Sequence, residues 1–221
     1  MLPAARSAID ALCDLPGTAV AFVSGRSLAD LREIGEHDDQ SRVLLAGSHG
    51  AEFWVPGEGA LEPEPDTIDA DLRDELYRHA VAATAEMNGV WIEPKAFGLG
   101  VHTRVADAAT AEAANIAVDA LVAAEASHWR RRTGKNIVEY AFRHEGKDSA
   151  VAALRARTGA TAVLFAGDDV TDEDALQSLG PADVGVHVGP PPSAASVFVD
   201  DVWDLARLLE VVVTERARAR E

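Results

Sequence analysis

The run VLFAGDDVTDEDAL, residues 163–176, decides the fold. An apolar stretch of strand length runs into Gly167, and five carboxylates then fall within seven residues: Asp168, Asp169, Asp172, Glu173 and Asp174. Like charges this close repel one another, and acidic side chains in a crevice are costly to desolvate. Ligands of open α/β sheets bind at the carboxyl ends of the strands. A hard cation such as Mg2+ seated there would relieve the repulsion. The plainer alternative is a capped helix start, where acids favour the positive end of the helix dipole. That alternative stays open for Asp172, Glu173 and Asp174, whereas Asp168 and Asp169 precede the cap.

Working outward, the same rhythm recurs on both sides. TAVAFV (18–23) is a short buried strand followed by Ser24-Gly25-Arg26, SLADLREIG is helical, and RVLLAG (42–47) is the next strand, followed by SHGAEFW. After the acidic loop come a helix (DEDALQSL), a strand (ADVGVHV), a loop with a short strand (PPPSAASVFV) and a closing helix (DVWDLARLLEVVVTERARA). Strand, turn, helix, strand is the signature of a parallel α/β sheet. Between the halves the composition changes. VPGEGALEPEPD (55–66), rich in Pro, Gly and Glu, reads as a linker or domain edge. Beyond it lie an amphipathic helix, a strand hairpin (GVWIEPK and FGLGVHTRV), a second helix and another strand pair (SHWRRRT and NIVEYAF). The expectation is an α/β, Rossmann-like parallel-sheet core over 1–64 and 143–221, interrupted by an α+β insert over 65–142.

The chain has 221 residues, a net charge of −17 and one cysteine, Cys13. The length can bury a sizeable core. The acidic balance argues against nucleic acid or an anionic membrane as partner, and any anionic substrate must be met by local cations. One cysteine excludes an internal disulfide framework or a thiolate metal cluster. MLPAARSAIDAL lacks the pattern of a signal peptide, and no apolar stretch reaches membrane-spanning length. The expected location is the cytoplasm.

Three polar groups are placed at or near strand ends: Ser24 with Arg26, Asp168 with Asp169, and Lys147, which opens the helix before the acidic strand. A hydroxyl, a lysine and carboxylates suit phosphoryl transfer, the carboxylates holding Mg2+ and the lysine and hydroxyl the phosphate. Singly, each has an ordinary reading: a capped turn, a helix start, a solvated lysine. Their order and placement together favour a site.

VAFVSGRSLADL, LLAGSHGAEFW, the position of Lys147 and above all FAGDDVTDEDAL resemble the trehalose-6-phosphate phosphatase family of the haloacid dehalogenase superfamily. The resemblance covers nearly the whole chain. It implies a core of haloacid dehalogenase type and Mg2+-dependent hydrolysis of trehalose 6-phosphate to trehalose and phosphate. Ser24, Lys147 and Asp168 would be the catalytic groups, and Asp168, Asp169 and Asp172 the carboxylates near the metal. It implies that the insert is a cap that recognises the sugar and closes over it, with Glu93, Lys95, Arg104, Lys135 and Glu139 as its substrate-binding residues. Arg26, His49 and Gly50 join them from the core, His49 more as a shaper of its loop. On the residues alone, Glu93 with Lys95 reads equally as a same-face strand pair, and Lys135 with Glu139 as surface charge.

One departure bears on activity. The family's mechanism uses an Asp-x-Asp-Gly-Thr loop after the first core strand, supplying nucleophile, acid/base and metal ligand. The 221 residues contain no such motif, and the start resembles the segment just after that loop. Asp10 and Asp14 follow no strand and have no Gly-Thr partner. The expectation is therefore a core lacking its first strand and a chain inactive as written. Its origin is either a start assigned too far downstream or a truncated, catalytically dead relative that binds sugar phosphate. The intact remainder of the site favours the first. A phosphatase for a related sugar phosphate is a further alternative.

Overall fold

The computed structural model describes residues 1–61 and 67–219. In chain order its regular elements are α1 (Pro3–Asp14), β1 (Ala21–Val23), α2 (Leu28–Ile34), β2 (Leu44–Gly47), β3 (Glu52–Val55), β4 (Gly59–Leu61), α3 (Thr67–Thr84), β5 (Trp91–Lys95), β6 (Gly98–His102), α4 (Ala108–Glu125), β7 (Arg130–Gly134), β8 (Ile137–Ala141), α5 (Lys147–Thr158), β9 (Leu164–Gly167), α6 (Glu173–Ser178), β10 (Val184–Val188), β11 (Val197–Val199) and α7 (Val202–Arg218). Two compact units result: 1–62 with 145–221, and 63–144. The expected boundary at 64/65 falls outside the described residues.

The first unit is the α/β core. β1 and β2 run parallel, Phe22 opposite Leu45, and β3 and β4 extend that sheet antiparallel. All four residues of β2 are buried, as an unbroken apolar run in a parallel sheet requires. β9, β10 and β11 form a second, wholly parallel sheet. Among the described residues β1 and β9 each carry a ladder on one side only. Helix α5 splints the two sheets. Its Ala150 and Leu154 pack with Leu44, Ala46 and Val23, while Val151 packs with Phe165, Ala175 and Leu176. α5 starts where the Ser149 hydroxyl accepts the Gly146 N–H at 2.9 Å, and it stops at Gly159 with φ +66°, the left-handed C-terminal turn that glycine adopts without strain.

Two stretches differ from the sequence reading. The strand expected over 18–23 is three residues long, although its ladder bonds run from the Val20 carbonyl to the Ser24 N–H. Residues 55–61, read as a linker, form the β3–β4 hairpin, its turn carried by Gly57 and Gly59 at φ +81° and +86°. A strand made of Gly-Ala-Leu has little β propensity of its own, so its pairing partner Trp54 and not its composition places it. The rest of the linker lies outside the described residues.

Asp183 fastens the second sheet to α5. It accepts the Val163 N–H at 2.9 Å and the Gly180 N–H at 2.8 Å, and pairs with Arg155. The two N–H groups, with the guanidinium, hold its carboxyl below the usual carboxylate range. A depressed folded-state value adds stability that is present above the unfolded value near pH 4 and is lost as pH falls through the folded one. Urea unfolding of the wild type and Asp183→Asn should therefore differ fully at neutral pH and converge in acid. A pH-independent difference would refute this.

The second unit is an antiparallel sheet in the order β5-β6-β8-β7 with α3 and α4 packed on it. Alternation sorts its side chains. Ile92, Leu99, Val101, Val138 and Tyr140 point into a core completed by Leu76, Ala80, Ala114 and Val118. Trp91, Glu93, Lys95, Gly98, Gly100, His102, Glu139 and Arg132 fall on the other face by register. Among the described residues no helix is long and apolar enough to cross a membrane.

Candidate functional site

At the carboxyl ends of β1 and β2 two loops are laced together. The Ser24 N–H bonds the Ala46 carbonyl at 2.9 Å, its Oγ accepts the Arg26 N–H at 3.2 Å, and its carbonyl accepts the His49 N–H at 2.9 Å. The Ser48 N–H closes the weave on the Arg26 carbonyl at 2.7 Å. Glu52, to which the sequence assigned no role, is the strut. Its Oε2 accepts the Ser48 hydroxyl at 2.5 Å and the Leu28 N–H at 3.1 Å, at the first residue of α2, where the helix dipole welcomes a carboxylate. Ser48, His49 and Gly50 have φ of 47°, 60° and 106°. Two non-glycine residues in left-handed conformation persist only where the surroundings over-determine them, and such strain concentrates at functional sites. The buried His49 ring roofs Gly25, where a Cβ would lie 2.5 Å from Nε2. The Arg26 side chain is exposed.

Gly50 abuts Ala150 of α5, one turn from Lys147. Lys147 is buried, and its Nζ donates to Asp172 Oδ1 at 2.6 Å. Asp172 Oδ2 accepts the N–H groups of Asp168 and Asp169 at 3.1 and 3.0 Å. Only glycine fits beneath that carboxylate, since a Cβ on Gly167 would stand 2.2 Å from Asp172 Cγ. The other acids also have protein donors. Asp169 accepts the Val170 N–H at 2.7 Å, and Glu173 accepts the Ser193 hydroxyl at 2.5 Å and the Ala194 N–H at 2.8 Å. A lysine, a hydroxyl and backbone amides of the chain therefore already offset part of the repulsion among these acids. Asp168 is different: it is exposed and its carboxylate makes no hydrogen bond or ion pair among the described residues. It is a fitting hard-cation donor, but no group of three or more His, Cys, Asp or Glu that could hold a metal occurs among the described residues. With Asp172 committed to Lys147, these residues do not make a metal site by themselves.

In the second unit, Lys95 Nζ lies 2.9 Å from Glu139 Oε1 and 3.3 Å from Glu93 Oε2. Burial pulls the Lys95 ammonium down, but Glu139 and then Glu93 outweigh it and hold its pKa above the ordinary lysine value. The cluster closes over a glycine floor: a Cβ on Gly100 would press on Lys95 Cε at 3.1 Å and Ile137 Cδ1 at 3.2 Å. The same-face pairing and the clustering of Glu93, Lys95 and Glu139 are both present, for one geometry serves both. His102, not among the sequence candidates, donates from Nε2 to Glu93 Oε2 across 2.6 Å. Arg104 and Lys135 lie apart from the cluster. Each is exposed in a turn, after β6 and between β7 and β8, and makes no side-chain hydrogen bond among the described residues.

A family model described as trehalose-phosphatase matches residues 1–202. The chain belongs to the trehalose-phosphatase family. A probable trehalose-phosphate phosphatase of Sinorhizobium fredii is 32% identical over 205 residues, covering 89% of this chain and 72% of that one. The trehalose-phosphate phosphatase of Mycobacterium marinum is 30% identical over 185 residues, 76% of this chain but only 44% of its own. Among solved structures, a trehalose-6-phosphate phosphatase related protein superposes with TM-score 0.79 at 19% identity, over 99% of this chain and 90% of that one. The C-terminal domain of the C. albicans trehalose-6-phosphate phosphatase superposes with TM-score 0.77 at 21% identity, over 97% and 87%. These neighbours share the α/β fold of this chain.

Proposed function

We propose that this family member acts on trehalose 6-phosphate, releasing trehalose and phosphate with Mg2+ as the cation, and that residues 1–221 supply its binding groups without the nucleophile. The observation that carries the reading is the buried Lys147 ammonium, fixed by Asp172 at the strand ends, in the unit that also fixes Ser24. A compact ammonium and a hydroxyl anchored by backbone bonds are suited to a phosphate monoester in a protein whose net charge of −17 otherwise repels it. Ser24 and Lys147 bind the phosphoryl oxygens. Asp168 would offer one carboxylate to the cation. The charged face of the second unit binds sugar hydroxyls, with Glu93 and Glu139 accepting and Lys95 donating. His49, Gly25 and Gly50 hold the phosphate loop in shape.

The test is calorimetric titration of the 221-residue chain with trehalose 6-phosphate, paired with an assay of phosphate release. Binding with no turnover is expected, and sucrose 6-phosphate should compete poorly. Release of phosphate would overturn the predicted inactivity, tighter binding of sucrose 6-phosphate would favour the related phosphatase, and absence of all binding would refute the reading.

A further inference from the structure

The solvent face of the second unit's sheet holds an aromatic pair that neither the sequence candidates nor the phosphatase reading uses. Trp91 stacks on His102 with ring centroids 4.3 Å apart and planes 5° from parallel. The two are cross-strand partners on β5 and β6. The His102 ring is tied at Nε2 to Glu93, so the stack joins directly to the Glu93–Lys95–Glu139 cluster. β5 is the edge strand, and Trp91 is 45% exposed. It is the one large aromatic exposed to this degree among the described residues of this unit.

A single exposed indole is ordinary by itself; what distinguishes Trp91 is that its ring is held flat by the His102 stack beside a cluster of charged groups. Its neighbours indicate the chemistry. A pyranose ring presents a flat apolar face of C–H groups and an edge of hydroxyls. The first needs an aromatic plane, the second a set of charged acceptors and donors. Trp91, Glu93 and Lys95 alternate along one strand face, so successive side chains are about 7 Å apart. A sugar ring resting on the indole has its hydroxyl edge beside the Glu93 carboxylate.

We infer that Trp91 is a stacking platform for a pyranose ring and a determinant of sugar affinity, and that His102 is its positioning residue, bracing the indole by stacking and orienting Glu93 by hydrogen bonding. This rests on the reading of the face as sugar-binding, and adds to it an apolar half that Glu93, Lys95 and Glu139 lack.

The experiment titrates the wild-type chain, Trp91→Ala, Trp91→Phe, His102→Ala and His102→Asn with trehalose 6-phosphate and, separately, with inorganic phosphate. Loss of one aromatic contact should weaken trehalose 6-phosphate about tenfold in Trp91→Ala, with Trp91→Phe close to wild type. His102→Ala should lose less, and His102→Asn, which keeps a donor for Glu93, should recover part of it. Phosphate affinity should be unchanged throughout. Since Trp91 is half exposed on an edge, its variants should melt with the wild type. Equal affinity of Trp91→Ala and wild type for trehalose 6-phosphate would overturn the platform and leave the sugar reading standing. Wild type that binds phosphate but gains nothing from the sugar would overturn both.

Discussion

Lys147→Met should destabilise the chain by about 3–5 kcal/mol and abolish binding of phosphate monoesters. The stability loss follows from burial: both side chains of the Lys147–Asp172 pair are more than nine-tenths removed from solvent. Deleting one partner of such a pair leaves an uncompensated charge where water cannot reach it. Asp172→Asn should be destabilising for the converse reason, though less so, since its amide oxygen can still accept the N–H groups of Asp168 and Asp169. The double variant Lys147→Met/Asp172→Asn separates the cause. With no charge left buried and the loop amides still satisfied, its loss should be well below the sum of the singles, a coupling on the order of 1–3 kcal/mol. Additive losses in urea unfolding would show that the pair is not the source. Binding should behave differently from stability. The double variant regains its fold but not its affinity for trehalose 6-phosphate, because the ammonium that meets the phosphate is gone.

That pair also marks where the sequence stopped being readable. The strands β2 and β9 are legible because unbroken apolar runs end at Gly47 and Gly167, β10 because Val184, Val186 and Val188 alternate up to Gly189, and the helices because their apolar positions recur at helical spacing. Lys147 and Asp172 were each visible as polar residues near strand ends. Their partnership was not, because 25 residues and a strand separate them and nothing local to either demands the other. Asp172 was read as a supporting acid near the metal; its oxygens also serve a lysine and two amides, and that shared duty could not be read locally. Glu93, Lys95 and Glu139 were legible through alternation and resemblance. Trp91 and His102 stand in the same alternation, yet their stack depends on the register of β5 against β6, which no single strand encodes. Glu52 was quoted within its motif without a role, since its hydrogen bonds to Ser48 and Leu28 exist only once two loops meet. The β3–β4 hairpin was missed because its residues resemble a linker, and tertiary pairing overrides so weak a propensity.

Gly50→Ala should be the most damaging small substitution in the phosphate loop. The backbone there has φ +106°, a region that costs a residue with a Cβ on the order of 1–3 kcal/mol. The new Cβ would also sit 2.8 Å from Ala150 Cβ and 3.2 Å from Ala150 Cα. Neither atom is the end of a flexible chain. α5 cannot simply retreat, since one turn earlier Lys147 is fastened to Asp172 and on the same helix Leu154 is packed on β2. Overpacking of this kind adds about 1–3 kcal/mol. Gly17→Ala isolates the backbone term, because Gly17 has φ +71° and open space around it; it should cost only about 1–2 kcal/mol. Gly50→Ala/Ala150→Gly isolates the steric term and should recover part of the loss but not the φ strain. If thermal unfolding gives Gly50→Ala the same small loss as Gly17→Ala, the loop is not pressed against α5, and His49 and Ser24 are not held in place by that contact. If the loss is several-fold larger and trehalose 6-phosphate affinity falls with it, the close approach of loop and helix is what sets Lys147 and the Ser24 loop at one end of the sheet.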